Sequence, residues 1–200
     1  LGAVSVTGSG TLTLAGANTH TGGITVSAGT LILTGANTYT GGTTVSAGTL
    51  QIGAGSTTGS VTGNITNNST LKFNRSNALT HSGIISGTGS VTQLGAGALT
   101  LSGTNTYTGT TTVSAGSLVV GSAGALGGST LLAIASGATV NLNAQTISVN
   151  ALQLNGVTQA AGTYTAANTA TYFTGSGSLV VGVAPTVSAP ASFSLTEDVS

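Results

Sequence analysis

Few side chains in this sequence could carry a charge or exchange a proton. Lys72, Arg75, Glu197 and Asp198 are the only formally charged residues among 200, and His20 and His81 are the only histidines. Cleaving a polysaccharide takes a pair of carboxylates held across the scissile bond. Here the two carboxylates are adjacent in sequence, so on a strand they point to opposite faces and cannot form that pair. No catalytic residue is expected. Repeating calcium loops need recurring aspartate, and Asp198 stands alone. Cysteine is absent, which excludes a disulfide framework and a thiolate metal site. Neither a cofactor nor a metal ion is expected.

Three weaker groupings remain. His81 with Lys72 and Arg75 could mark an anion site, although nucleic-acid binding requires a far larger basic patch. His20, Tyr39 and Tyr107 occupy equivalent places in three similar stretches, and stacked rings there could contact a sugar. The alternative is that they pack across a corner of the fold. Thr19 and Thr21 should lie near Thr38 and Thr40, a threonine ladder of the kind that forms a flat ice-binding surface.

The elements that position these groups follow from the repeats. LTLAGANTHTGGITVSAGTL (12–31), LILTGANTYTGGTTVSAGTL (31–50) and LTLSGTNTYTGTTTVSAGSL (99–118) share Gly16, Gly35 and Gly103; Asn18, Asn37 and Asn105; and Gly29, Gly48 and Gly116. Self-similarity at this period marks a solenoid whose unit cannot bury its own apolar face. Helical units are disfavoured, because no stripe of period 3.6 survives the 33 glycines and the abundant β-branched residues. Short strands fit better. Leu31 and Leu33, Leu50 and Ile52, Leu71 and Phe73, Leu99 and Leu101, Val140 and Leu142, and Leu179 and Val181 read as inward. The slots between them hold Ile32, Gln51, Lys72, Thr100, Asn141 and Val180, so polarity there is unconstrained, as an outward position allows.

These patterns predict an all-β chain: a parallel β-helix with coils of about 19–22 residues. Stacked Asn18 and Asn37 would bond each other and the turn backbone inside a corner. Residues 1–182 read as one solenoid with degenerate middle coils. Residues 183–200 begin with VAPTVSAP, a Pro/Ala/Ser linker, and continue as ASFSLTEDVS, the truncated first strand of a following surface module. No apolar run is long enough to span a bilayer, so no membrane insertion by this segment is expected. A start inside a repeat without methionine suggests a piece of something longer.

The run GTGSVTQLGAGALTLSGTNTYTGTTTVSAGSLVVG (87–121) closely resembles the passenger-associated repeat of bacterial autotransporters, and residues 8–53 repeat its second half twice. His20 replaces the usual tyrosine, and Gln93 stands where lysine is common. The resemblance implies a right-handed parallel β-helix of the pectin-lyase-like type, exported to the surface of a Gram-negative bacterium. Its repeats would form a non-catalytic stalk that assists export and display, with a translocator barrel or another secretion system outside this segment. The main alternative is an adhesion module that binds host glycans or another copy of itself.

Overall fold

Coil follows coil with the same inward positions in register. The computed structural model describes residues 2–182. The expected linker and strand at 183–200 lie outside them. Among the described residues there is no helix, and short strands occupy three faces in the order first, second, third around each coil.

The first face begins with Val4–Val6, Ile24–Val26, Thr43–Val45, Ile65–Asn67 and Ile85–Ser86. The second is the spine. Thr11–Leu14, Thr30–Leu33, Thr49–Ile52, Thr70–Phe73, Ser90–Gln93, Thr111–Val113, Leu131–Ile134 and Ala151–Leu154 pair in parallel along its length. The third face is interrupted. Ala36–Asn37 pairs only with Ser60–Val61, and a separate ladder starts at Leu79–His81 and continues through Ala98–Leu101, Ser117–Val120, Thr139–Asn141 and Phe173–Thr174.

Every residue assigned inward from the alternation is buried, including Leu31, Leu33, Leu50, Ile52, Leu71, Phe73, Val140 and Leu179. Mostly apolar side chains stack in columns because the coils are parallel and in register, so each coil covers the apolar face that its neighbour cannot cover alone. Coil lengths follow the register. Ile24 pairs with Thr43 and Thr43 with Ile65, so the second of these coils is the longer.

The last coil departs further from the repeat length. Val140 pairs with Phe173, well beyond one ordinary coil along the chain. The excess is a return segment. Asn155 and Gly156, at φ 49° and 78°, turn the chain so that Val157–Thr158 runs antiparallel on Ala151–Leu154. Gly162–Tyr164 then lies antiparallel on Ser178–Val181. These two short strands cover the C-terminal edges of two sheets, where unpaired N–H and C=O groups would otherwise template further pairing.

Two roles separate the repeated glycines. Gly29, Gly48 and Gly116 sit at φ 63°, 75° and 62°, the left-handed region that only glycine enters freely, and each turns the same Ser-Ala-Gly corner. Gly35 has ordinary φ but stacks on the Gly16 carbonyl so closely that a Cβ would collide with backbone.

Candidate functional site

The polar residues of the repeat build an interior ladder rather than a reactive cluster. Asn37 is wholly buried. Its Oδ1 accepts hydrogen bonds from the Asn18 main-chain N–H at 3.2 Å and the Asn18 Nδ2 at 2.5 Å, while its Nδ2 donates to the carbonyls of Gly35 at 2.8 Å and Ser60 at 2.9 Å. One amide thus joins the coil below to the coil above. The sequence-based expectation that Asn18 and Asn37 bond each other and the turn is met. Asn105 repeats the arrangement: Oδ1 accepts the Ile85 N–H at 2.7 Å and Nδ2 donates to the Ala125 carbonyl at 2.6 Å.

Tyr39 and Tyr107 enter the core from the same repeat position. The Tyr39 hydroxyl bonds the Thr43 hydroxyl at 2.5 Å, and the Tyr107 hydroxyl bonds Thr111 at 2.7 Å, which continues to Ser129 at 2.6 Å. Burial pushes the Tyr107 pKa up to about 12, with Thr111 and Ser129 opposing weakly, and raises that of Tyr39 as well, with Thr43 opposing. In the first copy His20 replaces tyrosine and Ile24 replaces the threonine partner. Its Nδ1 lies 2.7 Å from the Gly22 carbonyl, which places the proton on that nitrogen, and its ring stacks on Tyr39 at 5.2 Å between centroids and 10° between planes.

The three ring positions are therefore not gathered on one surface. His20 is half-buried, Tyr39 and Tyr107 are 3% and 0% exposed, and Tyr107 lies on another face of the solenoid. Their rings fill corners, and neither tyrosine presents a face to solvent. The Tyr-x-x-x-Thr spacing, Tyr39 to Thr43 and Tyr107 to Thr111, carried the signal for this buried pair. Thr19, Thr21, Thr38 and Thr40 are all exposed, on successive coils.

The third copy is rotated. In the first two copies, Ile24–Val26 and Thr43–Val45 lie on the first face and lead into the second. In the third, Thr111–Val113 lies on the second face and leads into Ser117–Val120 on the third. The repeated words run about one full coil, and the solenoid accepts them starting from the second face or from the third.

His81, Lys72 and Arg75 do not converge. His81 is buried against Phe73, with ring centroids 5.9 Å apart, and Lys72 occupies an outward slot. Arg75 spends its donors on the chain itself: Nη1 on the Gly59 carbonyl at 2.8 Å, Nη2 on the Thr57 carbonyl at 2.6 Å, and Nε with Nη2 on Asn77 Oδ1. It pins the loop that lengthens that coil.

A shallow cleft of about 540 Å³ is lined by Thr38, Tyr39, Thr40, Gly41, Gly42, Thr62, Gly63 and Asn64. It opens at the corner before the first face, where residues 38–42 of one coil lie against only 62–64 of the next, and its lining mixes hydroxyl, amide and peptide groups with apolar carbon and carries no charge. Among the described residues no three histidines or acids stand close enough to hold a metal ion, and no helix is long and apolar enough to cross a membrane.

Comparison with known proteins agrees with this architecture. The family described as Passenger-associated-transport-repeat matches residues 5–33, 28–52 and 91–120. The adhesin BmaC autotransporter of Brucella suis biovar 1 (strain 1330) is 38% identical over 121 residues, which is 60% of this chain and 3% of that much longer protein. No solved structure matches the chain. The three matched segments coincide with the corners that carry the interior ladder, and the chain is a parallel β-solenoid with three segments that match the passenger-associated transport repeat.

Proposed function

We propose that this segment is a non-catalytic passenger stalk, exported and displayed at the bacterial surface or outside the cell, which supports its own export. The observation that carries the reading is the coincidence of the repeats with an uninterrupted parallel spine on the second face. Coils that contact only their neighbours can form one at a time as a chain emerges, without waiting for a distant partner. Freedom from cysteine removes one obstacle to crossing an oxidising compartment unfolded. Deleting residues 31–118 from the full-length protein tests the export role. Surface display should fall sharply, and unchanged display would overturn it. The translocator barrel or secretion system belongs to regions outside this segment.

A second reading, adhesion, is favoured by the uncharged cleft at residues 38–42 and 62–64 and by the relative named as an adhesin. An uncharged host glycan suits a lining of hydroxyls, amides and peptide groups. A glycan array with wild type and with Thr62→Trp, which fills the cleft, tests this. Binding lost in the variant supports it, and absence of any bound glycan refutes it. Homotypic adhesion is tested by analytical ultracentrifugation, where a strict monomer at high concentration argues against it.

A further inference from the structure

His81 is a polar side chain in an apolar column. The residues stacked with it along the third face are Val61 on one side and Leu101, Val120 and Leu142 on the other, all buried. The His81 ring is 3% exposed, lies against Phe73, and its Nε2 is buried without a hydrogen-bond partner. A neutral imidazole can occupy this place at modest cost, whereas an imidazolium there would be a buried charge offset only in part by the Val61 backbone.

Among the described residues, the surroundings supply no counter-charge. Of the strands against the ring, Ser60–Val61 and Ala98–Leu101 carry no titratable group. Thr70–Phe73 carries Lys72, which faces outward and is of like sign, and Arg75 beyond it is occupied by Thr57, Gly59 and Asn77. Both carboxylates of the sequence lie at 197 and 198, outside the described residues.

The strand that holds His81 is paired along one edge only. Leu79–His81 begins its ladder: it pairs with Ala98–Leu101 and forms no strand ladder with Ser60–Val61. Residues 76–78 and Ser82 on its two sides are exposed. By contrast, Thr70–Phe73 in the same coil is paired on both edges. We propose that Leu79–His81 is an acid-released strap: when His81 takes a proton, this strand leaves the third face and uncovers the apolar column beneath it, while the second-face spine stays intact.

The direction follows from linkage. Burial lowers the His81 pKa, against a weaker raising effect of the Val61 backbone. The closed strap therefore keeps its full stability above the ordinary histidine pKa and loses it as pH falls below that value. If the released ring titrates near 6.5 and the closed ring stays neutral, opening rises roughly 30-fold between pH 7.5 and pH 5.0.

Hydrogen exchange at the two pH values, corrected for intrinsic rates, tests this on the described solenoid. Protection at residues 79–81 and at Ser102, whose N–H donates to the His81 carbonyl, should fall by that factor in wild type, with the Thr70–Phe73 amides unchanged. His81→Leu should abolish the pH response, and His81→Gln, polar but non-titrating, should abolish it even if its basal protection is lower. No response in wild type, a response that persists in either variant, or equal loss at Thr70–Phe73 would each overturn the strap.

Discussion

The interior amides allow one quantitative test of how the repeats hold the coils together. Asn105→Ala removes two bonds and leaves the Ile85 N–H and the Ala125 carbonyl, both in fully buried residues, without partners. An orphaned buried group costs about 1–3 kcal/mol, so the expected loss is about 3 kcal/mol. Asn37→Ala removes four bonds, but two of them come from Asn18, which is half-buried and can recruit water, so the expected loss is about 2 kcal/mol. Asn18→Ala should cost under about 1 kcal/mol, because the Asn37 Oδ1 keeps the main-chain N–H of residue 18 and the lost bond to the Gly16 carbonyl is exposed. Urea unfolding followed by far-ultraviolet circular dichroism reads each difference from the midpoint at constant slope. The order Asn105, Asn37, Asn18 is the prediction. An Asn105→Ala loss below about 0.5 kcal/mol, or an Asn18→Ala loss equal to that of Asn37→Ala, would refute the view that one amide ties two coils at any corner.

Three further outcomes follow from the geometry. Gly35→Ala should destabilise by about 3 kcal/mol or more because its Cβ meets the Gly16 backbone, whereas Gly16→Ala, with open space at its Cβ, should stay within about 0.5 kcal/mol; thermal melts of the two variants compare them. Tyr107 keeps its proton in the fold up to a pKa of about 12, so its contribution is whole below the unfolded tyrosine value near 10 and is lost as pH climbs from there toward 12. Alkaline unfolding curves should show that loss in wild type and a shallower one in Tyr107→Phe, which itself costs about 1 kcal/mol at pH 8 for the missing hydroxyl bond. Replacing residues 156–163 by two glycines strips the antiparallel strands from Ala151–Leu154 and Ser178–Val181, and sedimentation velocity should then show concentration-dependent oligomers where the parent shows fewer.

Much of the architecture is legible in residue order because a parallel solenoid stacks like upon like. The inward pairs, from Leu31 and Leu33 to Leu179 and Val181, need only a period of two, and the Asn18–Asn37 contact needs only the spacing of the first two repeats. Other features are not local. Whether a tyrosine in such a corner points in or out depends on what lies one turn further along the chain, and Thr43 and Thr111 decide it by pairing with the buried hydroxyl. The first copy shows the same rule from the other side, since His20 there is matched by the apolar Ile24. The long last coil had a signal in the Asn155-Gly156 dipeptide, a hairpin turn between strand-like runs, which the repeat pattern overshadowed. The break in the third face carries no comparable mark, because it depends on which strand a neighbouring coil presents.

The rotation of the third copy follows from arithmetic between repeat and coil. Leu31 and Leu50 stack on the second face because one repeat and one coil have the same length there. The coils that follow are longer, from Thr49 to Thr70 and from Thr70 to Ser90, and the next copy of the words arrives three coils and one face after Leu31, with Leu99 on the third face. Its corner glycine keeps the same left-handed geometry at Gly116, and its asparagine and tyrosine keep the same kinds of bonds. A motif that needed its own face would have been broken by that shift. This one survives because what it requires is a coil below, a coil above and a corner to turn, and two different corners of the solenoid supply them.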